Sequence, residues 1–377
     1  MDSKEPKITP YQLGLFTEPV TDIYRALEEQ IFLMVAKRLK TNPEHGKDHV
    51  LQWQMDKMQQ LRMLNKETIQ ELSKATGLAT DSIEKAVADV GLATVKTVDG
   101  ELQTVYPILP TPSQIDVTLE AFVLQTFREI DNFVNQTLIS TNYGEGTVAR
   151  MYRKIIEETT AKVLSGTMSI NKAITETIIR WGNKGVDTAF VDKGGNVWTL
   201  ERYTDTVIRS TVNRTYNEMR MSRMQEYGVD LVLVSSHAAA RPICSQIQGR
   251  VASMSNPSSN PDYPSIYNYG YGTPGGIRGI NCKHLFYPFI EGLNTNNQIQ
   301  YDLDEVDEGY KLTQQQRYYE RQIRKAKRSL NLAQELGDKE TIERYKKLVR
   351  IRQATVREFI AKHELPRFYE KERVITR

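Results

Sequence analysis

The sequence predicts an α+β protein that is predominantly α-helical, built as a helical N-terminal domain, a small α+β domain with a long Gly/Pro/Tyr-rich loop, and a C-terminal helical hairpin. Three observations carry this. Apolar residues recur at helical spacing through the first half of the chain. After Gly185 the pattern shifts to short strand-like runs around a loop rich in Gly, Pro, Ser, Asn and Tyr. From Lys311 a helical period returns on a strongly basic background. A chain of 377 residues, 39% hydrophobic and 26% charged, is long enough for two or three domains, each with a core of its own.

Residues 1–18 read as a loose arm. The helical domain, 19–185, opens with Pro19 in a first turn, and Ile23, Leu27, Ile31, Met34 and Val35 follow at helical spacing. "TNPEHG" (41–46) ends that helix, and a second runs from about Val50 to Leu64. Residues 66–91 predict two short helices around a turn at Gly77, with Thr80 or Asp81 as a cap. The outline is that of a helix-turn-helix, but the second helix carries Asp81, Glu84 and Asp89 against the single Lys85, which argues for packing and against DNA reading. "KTVDGELQTVYPILPTPS" (96–113) reads as a hairpin or linker around Asp-Gly. Helices follow at about 114–140, 146–165 and 169–183.

The α+β domain, 186–292, starts with a hairpin turning at Gly194-Gly195. A long helix over 200–228 is stopped by Gly228. "VDLVLVSS" is a buried-type strand, about 45 loop residues follow, and "HLFYPFI" (284–290) is a closing strand. Tyr263, Tyr267, Tyr269 and Tyr271 in the loop have two uses: covering a segment with little other apolar content, or stacking on bases. A linker, 293–310, leads to the tail, 311–377, a helical hairpin turning at Gly337-Asp338.

Charge is unevenly spread. From Lys311 to the end there are 19 Lys and Arg against 9 Asp and Glu, and the remaining residues carry 31 against 38. A basic segment on an acidic body favours contact with nucleic acid or an acidic protein surface. The candidate contacts are Arg321, Arg324, Lys325, Lys327, Arg328, Lys346, Lys347, Arg350 and Arg352; the alternative is a solvated helix pair. No apolar run is long enough to span a bilayer and no signal-type segment opens the chain, so a protein made in the cytoplasm is expected, with no membrane partner.

The chain has two cysteines and five histidines, yet two of each fall within 48 residues: His237, Cys244, Cys282 and His284. Two thiolates and two imidazoles suit tetrahedral Zn2+. The pairs converge if the flanking strands close one sheet. The spacing matches no common zinc finger. A buried thiol pair with hydrogen-bonded histidines accounts for the same residues without metal, and a disulfide fits a reducing compartment less well. No nucleophile elbow, HExxH, phosphate loop or dinucleotide fingerprint is present, and "GTPGGIRG" (272–279) lacks the helix that a phosphate cradle needs. No catalytic residue is assigned and no enzyme is expected.

"VSSHAAARPICSQIQGRV", then a Tyr/Pro/Gly-rich loop, then "YGTPGGIRGINCKHLFYPFIEG" resembles the phage minor capsid protein 2 family, itself similar to head-morphogenesis proteins of the Mu F type. The family pattern falls on His237, Arg241, Pro242, Cys244, Gly249, Gly279, Asn281, Cys282, Lys283 and His284, and the helix before it matches as well. The resemblance implies a minor structural protein of a tailed-phage or prophage head. Its partners would be portal and capsid proteins, and its roles head morphogenesis, DNA packaging or DNA release. It would be located in the virion after assembly in the bacterial host cytoplasm. The basic tail would then lie near packaged DNA. The competing readings are a zinc-dependent enzyme and a non-specific binding protein, both acting on nucleic acid.

Overall fold

The computed structural model describes residues 10–40, 49–103, 105–106, 115–135, 138, 140–141, 144–166 and 168–375. The fold is α+β and predominantly helical. In chain order the elements are α1 (Pro10–Leu39), α2 (Val50–Gln59), α3 (Leu61–Leu102), α4 (Ile115–Ile130), β1 (Ser140–Thr141), β2 (Gly144–Glu145), α5 (Thr147–Leu164), α6 (Ile170–Lys184), β3 (Asp187–Val191), β4 (Val197–Thr199), α7 (Leu200–Glu226), β5 (Leu231–Val234), α8 (Pro242–Ser245), β6 (Val251–Ser253), β7 (Phe286–Pro288), α9 (Leu303–Leu336) and α10 (Lys339–Lys362). They form two compact units, each discontinuous in sequence. The first joins Met1–Val20, Thr80–Arg128 and Asp205–Gln314; the second joins Thr21–Ala79, Glu129–Thr204 and Gln315–Arg377.

The first unit is built on a three-stranded antiparallel sheet in the order β6-β5-β7. Val232 in the central strand faces Ala252 on one side and Pro288 on the other. β5 is nearly all Val and Leu because both its faces are covered. Val232 and Val234 join Met221, Met224, Ala252, Ile266, Ile277 and Phe286 in one core. α7 is held to this sheet by Arg220, which is fully buried. Its Nε donates to the Phe286 carbonyl, one Nη donates to Glu101 on α3, and the other lies 3.3 Å from the Tyr216 hydroxyl. Arg223, one turn on, pairs with Asp99 at 2.6 Å. Asp230 ties the sheet to the loop beyond β6, accepting hydroxyl hydrogen bonds from Ser253 and Ser255 at 2.6 Å each and from Ser259. Burial pushes this carboxyl up, but the three hydroxyls outweigh it and hold the pKa below the ordinary 3.8.

In the second unit α5 and α6 pack as a helical pair, and β3 and β4 form an antiparallel hairpin. Asp192 closes the hairpin turn by accepting from the backbone N–H of Gly194 and Asn196 and from the Trp198 indole at 3.0 Å. The centre of this unit is polar. Arg328 on α9 donates from Nε to Glu29 at 2.8 Å, from Nη2 to Glu28 at 3.3 Å and from Nη1 to the Gly182 carbonyl at 3.2 Å. Glu28 also accepts the Val186 N–H at 2.7 Å, and Glu201 pairs with Arg324 at 3.0 Å. Burial is the largest influence on Glu28; with Glu201 and Glu29 beside it, it outweighs Arg328 and pushes the carboxyl up to about 7. The α9–α10 turn is at Gly337, φ 75°, and Asp338 caps α10 by accepting the Thr341 N–H at 3.0 Å.

Several sequence expectations need correction. α1 begins at Pro10, inside the segment 1–18 expected as an arm; residues 1–9 lie outside the described residues, as does the turn at 41–46. Residues 66–91 are no helical pair: α3 runs unbroken from Leu61 to Leu102, through Gly77 and over the first part of the supposed hairpin at 96–113. A helical Gly costs only about 1 kcal/mol, and buried Ala75, Ala79, Ile83, Ala86 and Val90 keep the apolar stripe in phase across it. Asp99 and Gly100 sit in helix because Arg223 recruits the Asp99 carboxylate; residues 107–113 lie outside the described residues. α4 stops at Ile130, where a π-helical turn, Asp131–Asn135, takes over. α9 starts at Leu303, which shortens the linker 293–310. β6, only three residues long, lies where the sequence predicts loop. The β3–β4 hairpin, which the sequence groups with the strands that follow, belongs to the second unit, where the Val186 N–H is bonded to Glu28 of α1.

Arg328→Met leaves two buried carboxylates without their cation, so it should lower unfolding free energy by about 3–5 kcal/mol in denaturant titration. Asp230 has a folded pKa below its unfolded value. Its contribution is therefore full above about pH 4 and is lost as pH falls through the folded pKa. Asp230→Asn should flatten that acid limb in melts recorded between about pH 6 and about pH 2.

Candidate metal centre

Two backbone devices bring the Cys and His residues together. Past β5, Ser235 donates its N–H to the Leu285 carbonyl at 2.8 Å, and its hydroxyl accepts the Leu285 N–H at 2.8 Å. This reciprocal pair of hydrogen bonds places the segment after β5 beside the segment before β7, and so His237 beside His284. Arg241 and Pro242 then start the single turn α8, Pro242 supplying a preset φ at a position whose N–H needs no partner, and the turn carries Cys244 inward. Gly249, φ 70°, reverses the chain and donates its N–H to the Val234 carbonyl at 2.9 Å. On the other side Asn281 takes φ 60°, a left-handed residue one step before Cys282.

Three of the four side chains, Cys244, Cys282 and His284, meet, and His237 stacks on the last of them. The Cys244 and Cys282 sulfurs are 3.8 Å apart and both thiols are free and buried. Cys282 Sγ lies 3.4 Å from His284 Nδ1, and His284 Nε2 lies 3.2 Å from Gln248 Oε1. The His237 ring stacks on His284 with centroids 4.3 Å apart, and its backbone N–H donates to the same Gln248 oxygen at 3.1 Å. Arg241 closes over the group. Its guanidinium donates to the Ile280 and Gly276 carbonyls at 2.9 and 3.0 Å and stands 3.8 Å from Cys244 Sγ.

The electrostatics separate the two thiols. The hydrogen bond shared with Cys282, then burial, pushes Cys244 up and keeps its proton on; the same bond, with His284 and Arg278 nearby, holds Cys282 well below the usual thiol range. Burial, then His284 and Lys283, lowers His237 to about 4, so its imidazole is neutral at ordinary pH. Among the described residues, Cys244, Cys282 and His284 are the group whose ligand atoms lie within 4.8 Å of one another, and no carboxylate joins them. Such a donor set suits a closed site for a soft divalent ion and offers no general base.

Each residue of the expected pattern has a place. Arg241 and Pro242 shape α8 and tie it to the loop. Gly249 is favoured by its φ of 70°, whereas Gln300, whose amide nitrogen would lie 2.6 Å from an added Cβ, is a flexible side-chain end that can swing aside. Gly279 is forced by the Thr273 and Pro274 carbonyls, against which a Cβ would collide. Tyr269 and Tyr271 pack on the core, the loop-covering use. Sequence reasoning misses Gln248, Ser235 and Arg278. Gln248 alone has a signal, standing four residues after Cys244, where a helical turn returns to the same side.

The basic candidates divide. Arg328 and Arg324 are consumed inside the second unit, the first by Glu28 and Glu29, the second by Glu201 and the Lys371 carbonyl. Lys327 donates to the Glu372 carbonyl and Arg352 to the Gln322 carbonyl, each half-buried. Arg321, Lys325, Lys346, Lys347 and Arg350 are exposed.

The sequence pattern of phage minor capsid protein 2 matches residues 8–361. A protein of Lactococcus phage LL-H described as "Structural protein" is 35% identical over 362 residues, 93% of this chain and 98% of its own. One of Lactococcus phage mv4, also described as "Structural protein", is 40% identical over 120 residues, 32% of this chain and 98% of its own. No solved structure matches the chain.

The glycines of the loop provide a paired test. Gly279→Ala should destabilise the first unit by about 1–3 kcal/mol through overpacking. Gly275→Ala, with open space around its Cβ position, should leave the melting curve unchanged.

Proposed function

The chain belongs to the phage minor capsid protein 2 family, and from that premise we propose that it is a portal-associated component of a tailed-phage head, acting in head morphogenesis, DNA packaging or DNA release. The observation that carries this reading is the family match along nearly the whole chain, joined by a relative of almost equal length described as a phage structural protein. A minor head protein needs docking surfaces more than a reaction centre. The buried Cys/His group, walled by Arg241 and without a carboxylate, agrees with a structural role.

The exposed part of the basic tail supports a DNA contact from inside the particle. Lys346, Lys347 and Arg350 lie within five residues of each other on α10, outside the internal pairs that occupy Arg324 and Arg328. Lys346 bonds the neighbouring Glu343 at 2.8 Å, an exposed pair that a phosphate readily displaces. Partners would be portal and capsid proteins, with the virion as final location after assembly in the host cytoplasm. Among the described residues no helix is long and apolar enough to cross a membrane.

Quantitative mass spectrometry of purified particles, before and after DNA release, tests the head assignment. A few copies per particle are expected, and absence from the particles overturns it. The DNA contact has its own test. Substituting Lys346, Lys347 and Arg350 together by Gln should reduce the slope of log affinity against log salt by about 0.9 for each phosphate that the tail no longer neutralises. Removing the whole tail would be uninformative, because α9 carries Arg328.

A further inference from the structure

We propose that His237, Cys244, Cys282 and His284 hold a structural zinc ion that closes the long loop of the first unit. The spacing of the donor atoms is the first argument. A tetrahedral Zn2+ with bonds of about 2.3 Å to sulfur and about 2.0 Å to nitrogen has edges of about 3.8 Å between sulfurs and about 3.5 Å between sulfur and nitrogen. The chain presents 3.8 Å between Cys244 and Cys282 Sγ, and 3.4 Å between Cys282 Sγ and His284 Nδ1. Two edges of the polyhedron are thus already set at metal-binding separation, and the third pair of ligand atoms lies within 4.8 Å. A disulfide bond needs about 2.05 Å between sulfurs and would leave His284 Nδ1 without its partner.

The outer shell is the second argument. A metal-bound imidazole usually donates its other N–H to an oxygen, which fixes tautomer and ring orientation. With His284 bound through Nδ1, its Nε2–H donates to Gln248 Oε1 at 3.2 Å. The same oxygen holds the His237 backbone N–H, so one amide sets both histidines.

The fourth corner is the third argument. His237 Nε2 is buried and has no hydrogen-bond partner among the described residues, though its ring lies against that of His284. His237 stands outside the three ligand atoms that lie within 4.8 Å of one another, but its unpaired buried nitrogen is on a ring stacked against one of those ligands, and a turn of that ring toward the sulfurs would complete the set. Charge also closes. Zn2+ with two thiolates is neutral overall, which suits a buried site. On binding, each cysteine S–H is replaced by S–Zn and its proton leaves to solvent. No oxidation state changes. The ion would then link β5's exit to β7's entry across the 37 residues between Cys244 and Cys282.

The test uses the full-length protein purified in reductant without chelator. Elemental analysis should find one zinc per chain. Reconstitution with Co2+ should produce a tetrahedral visible band and the near-ultraviolet charge-transfer absorption of two thiolates. Cys282→Ser should abolish both. Because that variant can also fail to fold, two further variants report on the site itself. Gln248→Met should keep the two-thiolate absorption and weaken zinc by about 10–100-fold in competition with a chromogenic chelator. His237→Ala should weaken zinc at least as much. A folded wild-type chain that contains no zinc and takes up no Co2+ overturns the site, as does a Cys244–Cys282 disulfide in protein from reducing cytoplasm. Zinc affinity unchanged in His237→Ala overturns the four-ligand set.

Discussion

A guanidinium withdrawn from water must find acceptors for its five N–H groups, and that demand organises both units. Arg328 and Arg220 show it, one in each unit. Arg328 gathers Glu28 and Glu29 from α1 and a carbonyl from the end of α6. Arg220 gathers Glu101 from α3 and a carbonyl from β7. Apolar packing is tolerant of small sliding between helices, whereas a fork of donors with acceptors at fixed positions is not. Such ion pairs are therefore weak evidence of stability in themselves and better evidence of register: they decide which turn of α9 lies against which turn of α1. In both units the arginine sits on one long helix and its acceptors come from segments far away in sequence.

The long loop of the first unit holds its shape in a different way. It has few apolar side chains, so close backbone approach and polar ties take their place. Gly276 and Gly279 allow carbonyls to come within contact, Ile277 returns its N–H to Tyr269 at 2.9 Å, and Asp230 gathers three serines. Ile266 and Ile277 are buried completely and anchor the loop to the core. The Cys/His group sits where the loop leaves and rejoins the sheet, the position at which a single local tie removes most of the loop's freedom.

Much of this was legible in the sequence because the signals were local. The helix over Leu200–Glu226 has Gly228 to stop it, and the tail hairpin has Gly337-Asp338. β5 is a run of Val and Leu, and the rare residues of the centre recur in order. What was not legible depended on partners remote in sequence. Gly77 and the Asp99-Gly100 pair look like turns until buried alanines and Arg223 are seen to keep α3 helical. Three-residue β6 carries no period of its own and exists because β5 offers it an edge. Arg324 and Arg328 read as surface charge because nothing near them in sequence shows that Glu28, Glu29 and Glu201 await them. Gln248 offers only its four-residue spacing from Cys244, because an amide reveals its use when both histidines are beside it.

The pairing of Glu28 and Glu29 with Arg328 also sets an order of events during synthesis. The two carboxylates and their cation are about 300 residues apart, and at about 5–20 residues per second the ribosome needs about 15–60 s to deliver one after the other. Through that interval the α1 segment that will occupy the centre of the second unit has two acidic groups and no counter-charge. The second unit is thus completed only after release of its C-terminal helices, while the sheet and loop of the first have already left the exit tunnel.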